Sequence, residues 1–500
     1  MKQSRLGALL TIPKRFVDVE RIKKELLIPN GSYENSMKIN GEAPVGMLKE
    51  FVCYKEIEGL PSDVDEGWIS VPRNYSVPWL NGPLPARRKR QHFPTVEREI
   101  NPQFVPRSHQ PPAIEALAKP GDKIIAVKCG GGKTIITLAA WALHRTGPLL
   151  ILVDTRELAK QWIAAAKLVC GIEADQIGSL KGPVEDWKGR SIVIGFVQTM
   201  WRRNYSRDLY RYFSEIAYDE VHICGASKMH LVLPQFEGER WGLSATPDRS
   251  DGNSVLIKLH MGEVTYEDLE QDLKPTVYFV QTPHKAPGWM SNMSKHVNAM
   301  VSSFLSKKKD RSKIILEYVE RAAARAGRSV LTIGNRIALH QWLIANSSYQ
   351  SECGLLVAAI PNPDDPKKRI TMKDKDREFA LTQRLLFATS QLASKALDKV
   401  ELDTLIMPFP VGDANLIQQT FGRIQRVKEG KQPPIVVVFE DDVRCLIKSC
   451  DKIRAYCDKH EIEWKIIGKK NLVSEVSMKA QQQVFKKLKR SFGFKGKKTW

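Results

Sequence analysis

A run of glycines ending in Gly-Lys-Thr constrains this chain more than any other feature. Ile124, Ile125, Ala126 and Val127 form an apolar stretch of β type. Lys128-Cys129-Gly130-Gly131-Gly132-Lys133-Thr134 follows, and an apolar helical run extends from Ile135 to His144. Strand, glycine loop and helix in that order make a cradle for phosphate. Backbone N–H groups turn inward around the oxygens, with the positive end of the helix behind them. Gly130, Gly131 and Gly132 would line the cradle, Lys133 would reach the β- and γ-phosphates of a nucleotide, and the Thr134 hydroxyl would ligate Mg²⁺. Val127 stands where such loops usually carry their first glycine. The competing reading is a glycine-rich turn in some other α/β domain, so a second motif is needed.

That motif is Tyr218-Asp219-Glu220-Val221-His222, which follows the apolar run Ile216 to Tyr218. Nucleotide hydrolysis requires acidic groups for the metal and for water. Asp219 is expected to hold Mg²⁺ through water, and Glu220 to orient and deprotonate the attacking water. Alone, the Asp-Glu-x-His pattern within it reads as a solvated acidic turn. After a strand, and at this distance from Gly-Lys-Thr, it reads as the second half of an ATP site.

The surrounding pattern is α/β. Pro148 to Val153 and Ile192 to Gly195 are apolar runs separated by helical stretches such as Glu157 to Leu168. A second set begins near Pro275. It comprises a strand Thr276 to Gln281, a helix Ile314 to Ala326, a strand Ser329 to Ile333 and a helix Ile337 to Asn346. Strands Leu355 to Ala359, Leu385 to Ala388, Thr404 to Met407 and Ile435 to Phe439 complete it. The alternation predicts two α/β units in series, each a parallel sheet covered by helices. A chain of 500 residues, 42% hydrophobic, has material for two or three domains. The expected division is an N-terminal accessory region and linker over 1–100, a first unit over 101–266, a second over 267–470, and a basic tail over 471–500. The proline-containing excursion Pro361 to Lys375 is expected to be a surface loop.

Lys and Arg number 77 against 56 Asp and Glu, a formal charge of +21. Such an excess favours a polyanion, either nucleic acid or an anionic membrane surface. No apolar run reaches the length of a membrane span, and the start MKQSRLGALLTIPKRF reads as folded structure, not as a signal peptide. Nucleic acid therefore leads. Arg87-Arg88-Lys89-Arg90 reads equally as a DNA-contacting linker or a solvated cluster. The basic tail carries Phe485, Phe492, Phe494 and Trp500, which would stack on exposed bases or pack a terminal helix. The eight cysteines form no C-x-x-C pair, and Cys445, Cys450, Cys457 and His460 have the wrong spacing for a zinc knuckle. Reduced core cysteines are expected.

With these motifs in hand, the chain resembles the superfamily 2 helicases over roughly Arg107 to Asp441. Arg107-Ser-His-Gln110 is similar to the adenine-reading element upstream of the phosphate loop. Asp154-Thr155-Arg156-Glu157-Leu158-Ala159 with Gln161-Trp162 resembles motif Ia, and Ile194-Gly195 through Gln198-Thr199 the next backbone-contacting motif. Leu243-Ser244-Ala245-Thr246-Pro247 resembles motif III. Ala388-Thr389 with Ala396-Leu397-Asp398 is similar to motif V, with Ala396 in place of the usual glycine. Gln419-Thr-Phe-Gly422-Arg423-Ile-Gln-Arg426 resembles motif VI. Thr246-Pro247-Asp-Arg249-Ser-Asp251-Gly252 is similar to the XPB-like branch, which includes phage branched-DNA helicases.

The resemblance implies two RecA-like domains in tandem, using ATP and Mg²⁺. It assigns Arg107, Gln110 and Gln419 to the nucleotide, and Arg423 and Arg426 to the γ-phosphate as arginine fingers reaching across from the second domain. It assigns Thr155, Arg156, Gln198, Thr199 and Thr389 to the nucleic-acid backbone. His222, Ser244, Thr246 and Asp398 would couple the two sites. The implied protein is an ATP-dependent DNA helicase or translocase acting on single-stranded, forked or branched DNA in repair, recombination or replication. It would be monomeric and cytoplasmic, in the host if phage-encoded. The alternatives are an RNA helicase and a translocase that displaces bound proteins without separating strands. A restriction motor would need a nuclease centre, for which Glu463-Trp-Lys465 lacks a properly spaced aspartate.

Overall fold

The computed structural model describes residues 5–6, 9–40, 43, 47–57, 67–76, 93–96, 100–144, 147–222, 231–246, 253–271, 273–291, 297–325, 327–361, 369–395, 397 and 399–468. The chain divides into two compact units, Met1–Gln271 and Asp272–Trp500. The runs Arg87 to Arg90 and 471–500, the XPB-like residues Arg249, Asp251 and Gly252, and Asp398 lie outside the described residues.

The first unit opens with short strands: β1 (Arg5–Leu6), β2 (Leu10–Pro13), β3 (Leu27–Pro29), β4 (Glu50–Val52), β5 (Lys55–Ile57) and β6 (Trp68–Val71). β1, β2, β6 and β5 form an antiparallel sheet in that order, and β3 pairs with β4. A four-strand sheet of this size buries little by itself, and it completes its core with another element. Ile12, Ile22, Phe51, Ile69 and Val71 pack with Leu256 and Leu259 of the helix Ser254–Met261. Asn253 adds two polar ties, accepting from the Gly31 N–H at 3.1 Å and donating to Asn30 at 3.3 Å. Arg73 ends the attachment. Its guanidinium pairs with Asp122 at side-chain exposures of 9% and 6%, and donates to the carbonyls of Glu237 and Gly238.

Next come β7 (Lys123–Val127), β8 (Leu149–Val153), β9 (Gly178–Lys181), β10 (Val184–Asp186), β11 (Ile192–Phe196), β12 (Glu215–Asp219), β13 (Glu239–Ser244) and β14 (Val264–Asp268). The sheet order is β10-β9-β11-β8-β12-β13-β7-β14, parallel except for the β9–β10 hairpin. β7 and β8 are buried along their whole length, as strands covered on both faces must be. Their continuous apolar runs follow from that double burial. β14 extends past the boundary expected at residue 266. It stays with the first unit because Tyr266, Glu267 and Asp268 pair with Ile125, Ala126 and Val127.

The second unit contains β15 (Thr276–Thr282), β16 (Val330–Ile333), β17 (Cys353–Leu356), β18 (Ala359–Pro361), β19 (Arg369–Thr371), β20 (Leu385–Ala388), β21 (Thr404–Met407), β22 (Ile435–Asp441) and β23 (Trp464–Ile467). Seven of these make one parallel sheet, β17-β20-β16-β21-β22-β15-β23. The expectation of two α/β units in series is met. Within the excursion expected to be a loop, Pro361 and Arg369 to Thr371 belong to paired strands, since Ala359 to Pro361 pair with Thr371 to Arg369, and 362–368 lie outside the described residues. Each strand is three residues long, too short a run for alternation to reveal it. Cys450 and Cys457 lie buried on the helix Arg444–Lys459, and burial raises both thiols, Cys457 to about 12. Glu463 and Lys465 pair with each other at 2.8 Å beside the edge strand β23.

Burial alone would raise the Asp122 carboxyl, but Arg73 and Arg240 together hold it below the ordinary carboxylate range. Its ion pairs therefore stabilise the fold at neutral pH and lose that contribution as pH falls through the depressed value. Replacing Arg73 strands a buried charge, at a cost of about 3 kcal/mol or more. We predict that Arg73→Ala lowers the thermal unfolding midpoint by several degrees at pH 7. The deficit should shrink on acidification, as measured by circular-dichroism melts across pH.

Candidate active site

The glycine loop sits where the sequence puts it, between β7 and the helix Lys133–His144. Gly130 and Gly132 take φ values of 81° and 85°, open to glycine and strained for other residues. Space restricts the loop as well. A Cβ on Gly131 would stand 2.6 Å from the Val127 side chain, so the valine in the first-glycine position forms the floor of the loop. Lys128 enters the loop with its N–H on the Asp268 carbonyl at 2.7 Å and its ammonium 3.9 Å from the Asp268 carboxylate. This is the role of the last residue of β14. Lys133 points its ammonium back at the Val127 carbonyl, 3.5 Å away, and Thr134 follows in the first helical turn.

Asp219 ends β12 and Ser244 ends β13, the strand between β12 and β7. The loop, the acidic pair and motif III therefore meet at the carboxyl ends of neighbouring parallel strands, where α/β sheets bind ligands. Asp219 is buried and accepts from the Trp162 indole N–H at 2.8 Å. Burial pushes its carboxyl up to about 6, and Glu220 adds to the rise. Lys133 and the indole bond oppose it. Trp162 was legible only as part of a motif, and its contact with Asp219 had no sequence signal.

Glu220 adopts φ 54°, a left-handed backbone uncommon for a residue with a side chain. Its Oε2 lies 3.3 Å from His222 Nδ1, and the same nitrogen lies 3.5 Å from Ser244 Oγ. Ser244 Oγ also accepts the Thr246 N–H at 2.9 Å. His222, Ser244 and Thr246 thus form one chain of contacts leading from Glu220.

Gln110 is buried against the loop. Its Oε1 accepts the Arg107 N–H at 2.9 Å and its amide donates to the Gly131 carbonyl at 3.4 Å. His109 reaches the same carbonyl at 3.1 Å. The carboxamide expected on an adenine edge already holds two protein partners, while the Arg107 side chain is exposed. Thr155 caps the helix Arg156–Cys170 by accepting the Leu158 N–H at 3.2 Å, and Arg156 is exposed beside it. Gln198 donates to the Asp154 carbonyl at 3.1 Å, and Thr199 accepts from Gly182 at 3.2 Å in the β9–β10 turn.

In the second unit, Thr389 follows β20, and its carbonyl accepts the Ala393 N–H at 2.9 Å. Gln419 is buried on the helix Ala414–Phe421. Arg423 is buried and donates to the Leu397 carbonyl at 2.8 Å. Arg426 is half-buried, its carbonyl bonded by Lys431 at 2.6 Å.

Among the described residues, no group of three His, Cys, Asp or Glu side chains gathers to hold a metal. The oxygens of Thr134 and Asp219 instead suit Mg²⁺, which takes one or two protein ligands and completes its shell with water and phosphate. No helix among the described residues is long and apolar enough to cross a membrane.

A family model described as the Res subunit of type III restriction enzymes matches residues 103–249. An ATP-dependent RNA helicase of Acanthamoeba polyphaga mimivirus is 23% identical over 88% of this chain and 81% of its own length. A helicase of Escherichia phage T5 is 26% identical over 63% of this chain and 66% of its own. The DNA 3'-5' helicase XPB of Kineococcus radiotolerans is 27% identical over 34% of this chain and 31% of its own. Among solved structures, S. cerevisiae Dbp5 bound to RNA and ADP BeF3 superposes with a TM-score of 0.52 at 14% identity. It covers 77% of this chain and 93% of that one. At such identity the likeness concerns the fold, a tandem pair of RecA-like domains.

Because the folded Asp219 carboxyl titrates near 6 and an unfolded one near 3.8, its ionised form opposes folding above pH 6. Asp219→Asn should therefore abolish ATP hydrolysis yet raise the melting temperature of the nucleotide-free protein by a few degrees at pH 7.5. That gain should vanish toward pH 4, as scanning calorimetry would register.

Proposed function

We propose that this chain is a superfamily 2 nucleic-acid-dependent ATPase that remodels DNA, with forked or branched junctions as its substrates. The observation that carries the reading is the chain of contacts Glu220–His222–Ser244–Thr246. It joins the carboxylate that would activate water to the end of β13, so hydrolysis has a mechanical outlet. Lys133 supplies positive charge to the phosphates, and Glu220 takes a proton from the attacking water. Mg²⁺, held by Thr134 and Asp219, would neutralise charge on the β- and γ-phosphates.

Preference for DNA is supported by the relatives named as DNA 3'-5' helicases and by Arg249-Ser-Asp251-Gly252. The runner-up is an RNA helicase, favoured by the mimivirus relative that spans most of this chain. Phosphate contacts through Arg156, Thr199 and Thr389 would give affinity without sequence readout, and binding would weaken steeply with salt.

The test is the ATPase rate with no nucleic acid, single-stranded DNA, duplex DNA, a fork, a four-way junction and RNA, at one salt concentration. Greatest stimulation by forks or junctions is expected, and greatest stimulation by RNA would move the protein to the runner-up. Lys133→Ala should abolish hydrolysis while nucleic-acid binding persists. Arg426→Ala should keep nucleotide binding and lose stimulation, and normal stimulation would remove Arg426 from the finger role.

A further inference from the structure

The helix Arg156–Cys170 carries a side chain to the acidic pair although none of its residues is assigned to the nucleotide. The helix follows β8, and β8 pairs with β12 so that Leu152 stands opposite Tyr218. Trp162, in the second turn of the helix, thereby meets the end of β12. Its indole N–H donates to Asp219 Oδ2 at 2.8 Å.

The indole is held in that direction. Trp162 is fully buried within the core of the first sheet. Its helix is fixed at both ends. The Thr155 hydroxyl accepts the Leu158 N–H at the start, and Gly171, in a left-handed conformation, gives its N–H to the Ala166 and Lys167 carbonyls at the finish. A buried indole needs an acceptor, and a backbone carbonyl is the common one. Trp141, equally buried, uses the Gly147 carbonyl at 2.9 Å. Trp162 instead gives its N–H to a carboxylate. Among the described residues it is the one hydrogen-bond donor to that carboxylate.

The two oxygens of Asp219 are therefore unlike. Oδ2 is engaged by the protein, and Oδ1 is left for a ligand. A carboxylate with one oxygen engaged ligates through the other. Mg²⁺ accepts this arrangement, since it demands octahedral geometry, keeps several waters and uses few carboxylates. Ca²⁺ is larger, takes more oxygens and readily uses both oxygens of one carboxylate.

We propose that Trp162 is a positioning residue that presents a single oxygen of Asp219 to the metal and so favours Mg²⁺ over Ca²⁺ beside the nucleotide. The inference rests on the nucleotide-site reading above and adds to it the residue that sets the choice of metal.

The test uses the full chain and mant-ADP, a fluorescent nucleotide, titrated in EDTA, in Mg²⁺ and in Ca²⁺. Wild type should bind it more tightly in Mg²⁺ than in Ca²⁺. Trp162→Phe keeps an aromatic ring in the core and removes the N–H. In that variant the margin between the two metals should shrink by about tenfold, the lower end of what losing a ligand's hydrogen-bonding neighbour does to metal affinity. In EDTA the two proteins should bind equally, which a site disturbed only in its packing would not show. Trp162→Leu removes the same donor and should shrink the margin likewise, so the comparison survives if the phenylalanine variant does not fold. An unchanged margin in either folded variant would overturn the role of Trp162. So would a wild type that binds equally well in Mg²⁺ and in Ca²⁺, and both results leave the nucleotide site standing. Failure of wild type to bind mant-ADP under all three conditions would remove the nucleotide site and this inference with it.

Discussion

At the carboxyl end of the first sheet, a carboxylate that resists burial binds the neighbouring elements together. Asp219 sits at the end of a strand with both faces covered, and burial pushes its carboxyl up. The indole of Trp162 and the charge of Lys133 work against that penalty. Lys133 is fixed in turn by the glycine loop, whose floor is Val127 and whose first residue is tied to Asp268. Loop, acid and edge strand therefore support one another. A cationic ligand at Asp219 would relieve the energetic conflict that the fold holds in place.

Much of this was legible in the sequence. The strands Leu385–Ala388 and Thr404–Met407 and the helix Ile337–Asn346 end where the apolar runs predict. Doubly covered strands leave no choice of residue type, so their pattern is unambiguous. Elements with only one buried face were not legible. The β9–β10 and β18–β19 hairpins and the edge strand β23 mix polar with apolar residues and imitate loops. β14 alternates half-buried and exposed positions, which is why the first unit was expected to end two residues before that strand does.

The site divides along a similar line. Which residues stand at strand ends could be read from motif spacing; what their side chains hold could not. Gln110 spends its carboxamide on Arg107 and Gly131, Thr155 its hydroxyl on a helix cap, and Arg423 its guanidinium on Leu397. Each bond satisfies a polar group that would otherwise be costly to bury or leave unpaired. Short polar side chains near helix ends find local partners of this kind wherever the backbone presents one. The N-terminal sheet was hidden for a different reason. Its core is completed by Leu256 and Leu259, almost two hundred residues downstream of its last strand, and no local pattern announces so distant a partner.

The acidic pair ends in a competition for one atom. His222 Nδ1 lies within reach of both Glu220 Oε2 and Ser244 Oγ. A protonated Nδ1 donates to the carboxylate, whereas an unprotonated one accepts from the hydroxyl, so the ring tautomer selects its partner. Glu220 meanwhile stands in a left-handed backbone conformation that costs on the order of 1 kcal/mol and persists only while its surroundings hold it. Under the coupling proposed above, a change of charge beside Glu220 would alter which of the two contacts His222 keeps. Because Ser244 also holds the Thr246 N–H, the change reaches the backbone at the end of β13. Under the proposed coupling, the strain at Glu220 and the two contacts of His222 would together carry a proton's position at the acidic pair to the end of β13.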